Sequence, residues 1–146
     1  MAEAVSVWKW PDEVPITKAR HMILGTGIDI IEVSRIRASH ERFGERFLQR
    51  ILRPDEIAYS LSHRDPAPFL AARFAAKEAI SKAFGTGIGS RLAWQDMEVG
   101  RRESGEPFVI LHDGGKTLLA ERAAVGIHLS LSHTNHYAAA MAILEG

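Results

Sequence analysis

Glu78 and Lys82 stand four residues apart in "FAAKEAISKAFGTGIG", residues 74–89, with Lys77 beside them, Arg73 just upstream and glycines downstream. On a helix Glu78 and Lys82 share a face, with Phe74 one turn earlier, while Lys77 points elsewhere. The plainer reading of such a pair is a surface ion pair contributing about 0.3–0.5 kcal/mol. Three features point further. Arg73 and Lys82 flank Glu78, so oxyanions brought to that carboxylate would meet cations within reach, an arrangement suited to phosphate. The segment runs into "GTGIG", whose missing side chains let a ligand approach backbone N–H groups. Finally, Asp29 interrupts the otherwise apolar "MILGTGIDIIEV", residues 22–33, and needs a partner of its own.

A carboxylate buried alone costs on the order of several kcal/mol unless it is paired, hydrogen-bonded or bound to metal. Two carboxylates together repel, and a divalent cation resolves the repulsion. Mg²⁺ takes one or two protein carboxylates and completes its shell with water and substrate phosphates, so Asp29 and Glu78 are candidate ligands. The glycine loops match no familiar nucleotide motif: "GTGIG" follows a helix rather than preceding one and lacks Gly-Lys-Ser/Thr. A turn or close packing explains each loop equally well.

The elements that must position these groups follow from the pattern. Residues 22–33 are apolar and β-branched and read as a buried strand, with Gly25 and Gly27 marking a close approach to its backbone. Ser34 can cap a following helix in which Ile36, Phe43, Phe47 and Ile51 share a side, with Gly44 as a weak point. Pro54, Asp55 and Glu56 start a second helix, and Asp65-Pro66 a third that runs to about Phe84. Residues 97–103 and 107–112 read as strands joined by the turn "ESGEP". Residues 115–125 read as a helix ending at Gly126. "IHLSLSH" alternates, with Ile127, Leu129 and Leu131 on one side and His128, Ser130 and Ser132 on the other. After "TNH", "YAAAMAIL" reads as a last strand pairing with it. This order predicts an α+β fold with a mostly antiparallel sheet.

With 146 residues, 46% of them hydrophobic and 25% charged, the chain suits one globular domain. Eighteen basic residues balance eighteen acidic ones, so charge-based recognition must be local, with no global pull toward nucleic acid or anionic membrane. The absence of cysteine excludes disulfides, thiolate metal sites and a thiol nucleophile and is compatible with a reducing cytosol. No apolar run reaches a membrane span, so a cytoplasmic location is expected. Residues 1–21 hold no sustained period and read as a leader or extension, leaving residues 22–146 as the single domain. His128 and His133 project to different faces of a strand and its end, which argues against a histidine zinc site. His40, His63 and His112 read as surface residues, and Trp94 and Tyr137 as packing residues.

Three blocks, "GTGIDIIEVSRI", "FLAARFAAKEAISKAFGTGIG" and "HLSLSHTNHYAAAMAI", occur in an order and spacing that resembles the short bacterial type of the 4′-phosphopantetheinyl transferase superfamily, the holo-[acyl-carrier-protein] synthases. The resemblance covers essentially everything from Met22 onward. It implies transfer of the 4′-phosphopantetheine arm of coenzyme A to a serine of apo acyl carrier protein, with release of adenosine 3′,5′-bisphosphate, in support of fatty acid biosynthesis. It also implies that Asp29 and Glu78 bind Mg²⁺, with Mn²⁺ as an alternative, and that Lys82 serves the phosphates and the reacting hydroxyl. Arg73, Gly85, Gly87 and His133 match positions near coenzyme A. The serine proton would leave to a metal-polarised water or to Glu78 directly. A homotrimer with active sites between subunits is expected on resemblance alone.

Acyl carrier proteins are acidic, so a docking face should be basic. Arg35, Arg42, Arg46, Arg50 and Arg53 form one stripe if the helix is continuous, with Arg37 on the other side. Glu41 and Glu45 are interleaved, so a solvated helix face is the simpler alternative. The resemblance points to Arg35, Arg42 and Arg46 as carrier contacts. Rival readings are a noncatalytic coenzyme A or carrier-binding protein of the same fold, a different Mg²⁺-dependent nucleotidyl or phosphoryl transferase, and a structural domain in which Asp29 and Glu78 make buried ion pairs.

Overall fold

Alanine is the best helix former and the smallest side chain with a Cβ. The run Ala67–Phe84 uses both properties: it forms an 18-residue helix, α4, buried on nearly every side. The computed structural model describes residues 22–146, and the expectation for residues 1–21 lies outside them. In chain order the other elements are β1 (Ile23–Glu32), α1 (Val33–Phe43), α2 (Glu45–Ile51), α3 (Pro54–Leu61), a 3₁₀ turn (Trp94–Asp96), β2 (Met97–Arg101), β3 (Pro107–Leu111), α5 (Asp113–Glu121), β4 (Gly126–His133) and β5 (Tyr137–Glu145). β1, β5 and β4 form one sheet in that order and β2 pairs with β3, all antiparallel, as the α+β reading expects.

One face of the larger sheet lies on α4. Ala138, Ala140, Ala142 and Leu144 of β5 are buried there, and Gly27 and Ile31 of β1 point the same way. Side-chain alternation therefore puts Asp29 on the helix-facing side. What approaches the backbone at Gly25 and Gly27 is α4 itself. A Cβ at Gly25 would lie 2.0 Å from the Ala83 carbonyl oxygen, and one at Gly27 1.8 Å from that of Ala79. Only glycine fits this seam.

Several local expectations need correction. Gly44, at φ 58° and ψ −138°, breaks the anticipated long helix into α1 and α2. Phe43, the last residue of α1, is 53% exposed rather than buried beside Ile36. Arg53 lies beyond α2, where its guanidinium donates to the Gln95 carbonyl, and so drops out of the arginine stripe. Ser34 makes no cap; Glu32 occupies that position without a side-chain bond. α5 ends at Glu121, ahead of the predicted boundary, and Ala123 takes φ 50° in the turn to β4. Tyr137 is 51% exposed rather than packed. Among the described residues no helix is long and apolar enough to cross a membrane.

Candidate active site

The seam between β1 and α4 brings Asp29, Glu78 and Lys82 together. Lys82 Nζ donates to the Ile28 carbonyl at 2.8 Å and to Asp29 Oδ1 at 3.0 Å. The Asp29 side chain is 17% exposed and that of Lys82 49%, so the ion pair has one screened side and one sheltered side. Glu78, one turn before Lys82, is half-buried. Burial first, and then the negative charge of Asp29, push its carboxyl above the ordinary carboxylate range, with Lys82 opposing. The cluster thus holds two repelling carboxylates and one half-exposed ammonium.

Arg73 is not part of that cluster. It is 2% exposed and lines a separate cleft of about 320 Å³ with Asp55, Tyr59, Glu98, Arg101 and Phe108. Its guanidinium carbon lies 4.2 Å from the centre of the Tyr59 ring, Arg101 lies 5.1 Å from the same ring, and Arg73 Nε has no hydrogen-bond partner. Burial lowers its pKa against the pull of Glu56. Asp55 and Glu98 balance the two guanidiniums in this cleft, and the Arg73 Nε–H is the buried donor left without a partner. The expectation that Arg73 and Lys82 flank one carboxylate is corrected accordingly: five helical positions separate Arg73 from Glu78, which turns them to different faces.

Of the two readings open for the glycine loop, the turn describes its backbone. Gly85, at φ 77°, caps α4, and the N–H groups of Gly85, Thr86 and Gly87 donate back to the Ser81 and Lys82 carbonyls. Those amides are spent on the helix end, so no anion nest forms there. What the loop offers is space, since a Cβ at Gly87 would meet nothing within 4 Å. His133 ends β4 with its ring edge-on to Phe69 at 5.0 Å. Phe69 in turn stacks on His63 at 3.5 Å, which makes His63 a packing residue rather than a surface one. An aromatic chain through Tyr59, His63 and Phe69 therefore links His133 to the Arg73 cleft.

Sequence reasoning missed Lys77 and Glu56. Lys77 does point away from Glu78, but into the interior. There Nζ donates to Glu56 Oε2 at 2.8 Å, to the Ile51 carbonyl at 2.6 Å and to the Trp94 carbonyl at 3.2 Å. Glu56 also accepts the Arg53 and Val99 N–H groups. Burial lowers the Lys77 pKa while Glu56 raises it. A lysine in a helix that is apolar all round was the available signal, because such a helix has no solvated face to give it.

The family model of the 4′-phosphopantetheinyl transferase superfamily matches residues 25–142, and the chain belongs to that family. Within it the chain sides with the holo-[acyl-carrier-protein] synthases. It is 50% identical over 124 residues to the protein of that name from Koribacter versatilis, covering 85% of this chain and 99% of the relative. The crystal structure of the Neisseria meningitidis synthase superposes with a TM-score of 0.80 at 34% identity, covering 86% of this chain and 100% of that one. The Helicobacter pylori synthase in complex with coenzyme A gives 0.73 at 32% identity, over 82% and 98% of the two chains.

Proposed function

We propose that this chain transfers 4′-phosphopantetheine from coenzyme A to a serine of an apo acyl carrier protein, releasing adenosine 3′,5′-bisphosphate, in a Mg²⁺-dependent reaction serving cytoplasmic fatty acid biosynthesis. The convergence of Asp29, Glu78 and Lys82 from β1 and α4 carries the reading. The coenzyme A bound to the Helicobacter pylori relative supports it. The donor set fits the ion: two hard carboxylates that repel each other, the number of protein carboxylates that Mg²⁺ takes when substrate phosphates supply further oxygens. Asp29 and Glu78 would hold Mg²⁺, or Mn²⁺ in its place. When bound, the ion supplies polarisation of the pyrophosphate and neutralises charge on the departing group.

The chain's own groups supply the rest. Lys82, half-exposed and held by one carboxylate and one carbonyl, is free to turn from Asp29 to a phosphate oxygen. The serine oxygen bonds to phosphorus as the pyrophosphate P–O bond breaks, and the electron pair leaves with adenosine 3′,5′-bisphosphate. The serine proton goes to Glu78 or to a water that Glu78 orients. Arg73 faces an anionic part of coenzyme A from its own cleft, Gly85 and Gly87 leave room beside Lys82, and His133 flanks the same substrate.

Arg35, Arg42 and Arg46 are exposed on α1 and α2 and would dock the acidic carrier. Phe43, exposed beside Arg42 with its ring centre 5.0 Å from the guanidinium carbon, adds an aromatic anchor. The sheet face turned away from α4 carries Ile28 and Ile30, 68% and 67% exposed, and Met141, 45% exposed. That apolar face supports assembly into a homotrimer. Chromatography of the nucleotide product tests the reading: adenosine 3′,5′-bisphosphate should appear only with apo carrier and metal, and fall about 100-fold in Asp29→Asn or Glu78→Gln. A protein that binds coenzyme A but releases no nucleotide would be the noncatalytic binder.

A further inference from the structure

A second cation spans the β1–α4 seam. Arg122, half-buried at the C-terminal end of α5, donates from Nη1 to the Phe84 carbonyl at 2.7 Å and from Nη2 to the Leu24 carbonyl at 2.9 Å. Phe84 is the last residue of α4, where helix carbonyls lack intrahelical partners and carry the negative end of the macrodipole. Leu24 is near the start of β1. The planar guanidinium fork therefore ties the same two elements that Lys82 ties further along, at Ile28 and Asp29. Gly25 and Gly27 lie between the two ties, where backbone meets backbone with no side chain to grip.

The two ties have different fates. Lys82 must leave Asp29 if Asp29 is to hold a metal and the ammonium is to meet substrate phosphate. Arg122 contacts only the frame: its Nη1 lies 3.9 Å from where a Gly85 Cβ would be, behind the loop that follows α4. When the Lys82 tie opens, the Arg122 tie remains to keep β1 on α4. We propose that Arg122 is a positioning residue, which preserves the Asp29–Glu78 spacing while Lys82 changes partners. The inference rests on the metal role proposed above for Asp29 and Glu78. Nothing in the local sequence "ERAAV" marks this arginine, since its partners are backbone carbonyls far away in the chain.

The test titrates Mn²⁺ alone into the full-length protein by calorimetry and measures transfer in parallel, for wild type, Arg122→Gln and Arg122→Lys. The expected result for Arg122→Gln is Mn²⁺ binding weakened about tenfold and kcat reduced about tenfold, with the KM for carrier unchanged. Arg122→Lys, whose ammonium can still reach one carbonyl, should recover part of both losses. A merely structural role would lower the folded fraction and leave the Mn²⁺ affinity of the folded protein alone. Wild-type affinity and kcat in folded Arg122→Gln would overturn the inference. Should that variant not fold, wild-type values in Arg122→Lys would overturn it. A wild-type protein that neither binds Mn²⁺ nor modifies carrier removes the functional reading, and the inference falls with it; a variant effect confined to thermal stability removes the inference alone.

Discussion

Replacing Gly27 with alanine adds one methyl group at the point where strand and helix backbones meet. The new Cβ would sit 1.8 Å from the Ala79 carbonyl oxygen, 2.8 Å from its carbon and 2.9 Å from the Ala83 nitrogen. All three are backbone atoms, so no rotamer change relieves the contact. Reaching 3.4 Å, where ordinary van der Waals contact begins, requires β1 and α4 to part by about 1.6 Å at this point. Overpacking of this kind costs about 3 kcal/mol at the upper end of the usual range, or roughly 10 °C in Tm for a domain of this size. Asp29 is two residues along the same strand face and Glu78 adjoins Ala79, so the displacement passes straight into the spacing of the two carboxylates. A misplacement of about 1 Å can cost roughly 100-fold in rate, and kcat should fall by that order. The KM for carrier, set on α1 and α2, should not move. Differential scanning calorimetry and steady-state kinetics read both effects, with Gly126→Ala, whose Cβ meets nothing within 4 Å, as the neutral control. A Gly27→Ala protein with wild-type Tm and kcat would refute the reasoning.

Lys77→Met should lower stability by about 3–5 kcal/mol in urea denaturation, because it strands the Glu56 carboxylate in the core. The double variant Glu56→Leu/Lys77→Met should recover most of that loss. The raised Glu78 carboxyl makes the folded state bind a proton more readily than the unfolded one, so wild-type stability in chelator falls as pH rises out of the ordinary carboxylate range. Glu78→Gln should therefore be slightly more stable at pH 7, by less than about 0.5 kcal/mol for a half-exposed group, and the difference should vanish below about pH 4 in melting curves. Charge reversal at Arg35 or Arg46 should raise the KM for carrier, increasingly at low salt, and leave that for coenzyme A unchanged. If the exposed sheet face assembles the proposed homotrimer, Ile28→Asp should lower the mass found by light scattering to that of a monomer, and an unchanged mass would contradict that assembly.

The parts of the fold that could be read from the chain were those set by local rules. Proline at the start of α3, the alternation in β4 and the turn "ESGEP" each act over a few residues. The carboxylates could be singled out because Asp29 violates an apolar run. Glu78 and Lys82 share a helix face by their spacing alone, but the meeting of Asp29 with that pair depends on how closely β1 approaches α4, which is decided by Gly25 and Gly27 against a helix of alanines. Gly25 and Gly27 were read as marking a close approach without its partner being known. Nearness in sequence placed Arg73 with Glu78, and it left the glycine loop open between a ligand loop and a turn. Arg73 turns to another face of the helix, and the loop amides satisfy the carbonyls that every helix leaves open at its C-terminus. Glu56 and Lys77 form a pair only through the packing of α3 on α4, which no local period announces.

The central claim is that the Asp29–Glu78–Lys82 cluster performs metal-dependent phosphopantetheine transfer. Intact-mass spectrometry of an apo acyl carrier protein, incubated with this protein and coenzyme A with Mg²⁺ or with chelator, tests it directly. The account predicts a gain of one phosphopantetheine group with Mg²⁺, none with chelator, and none with Asp29→Asn. A gain that persists in chelator, or in Asp29→Asn at the wild-type rate, would contradict it.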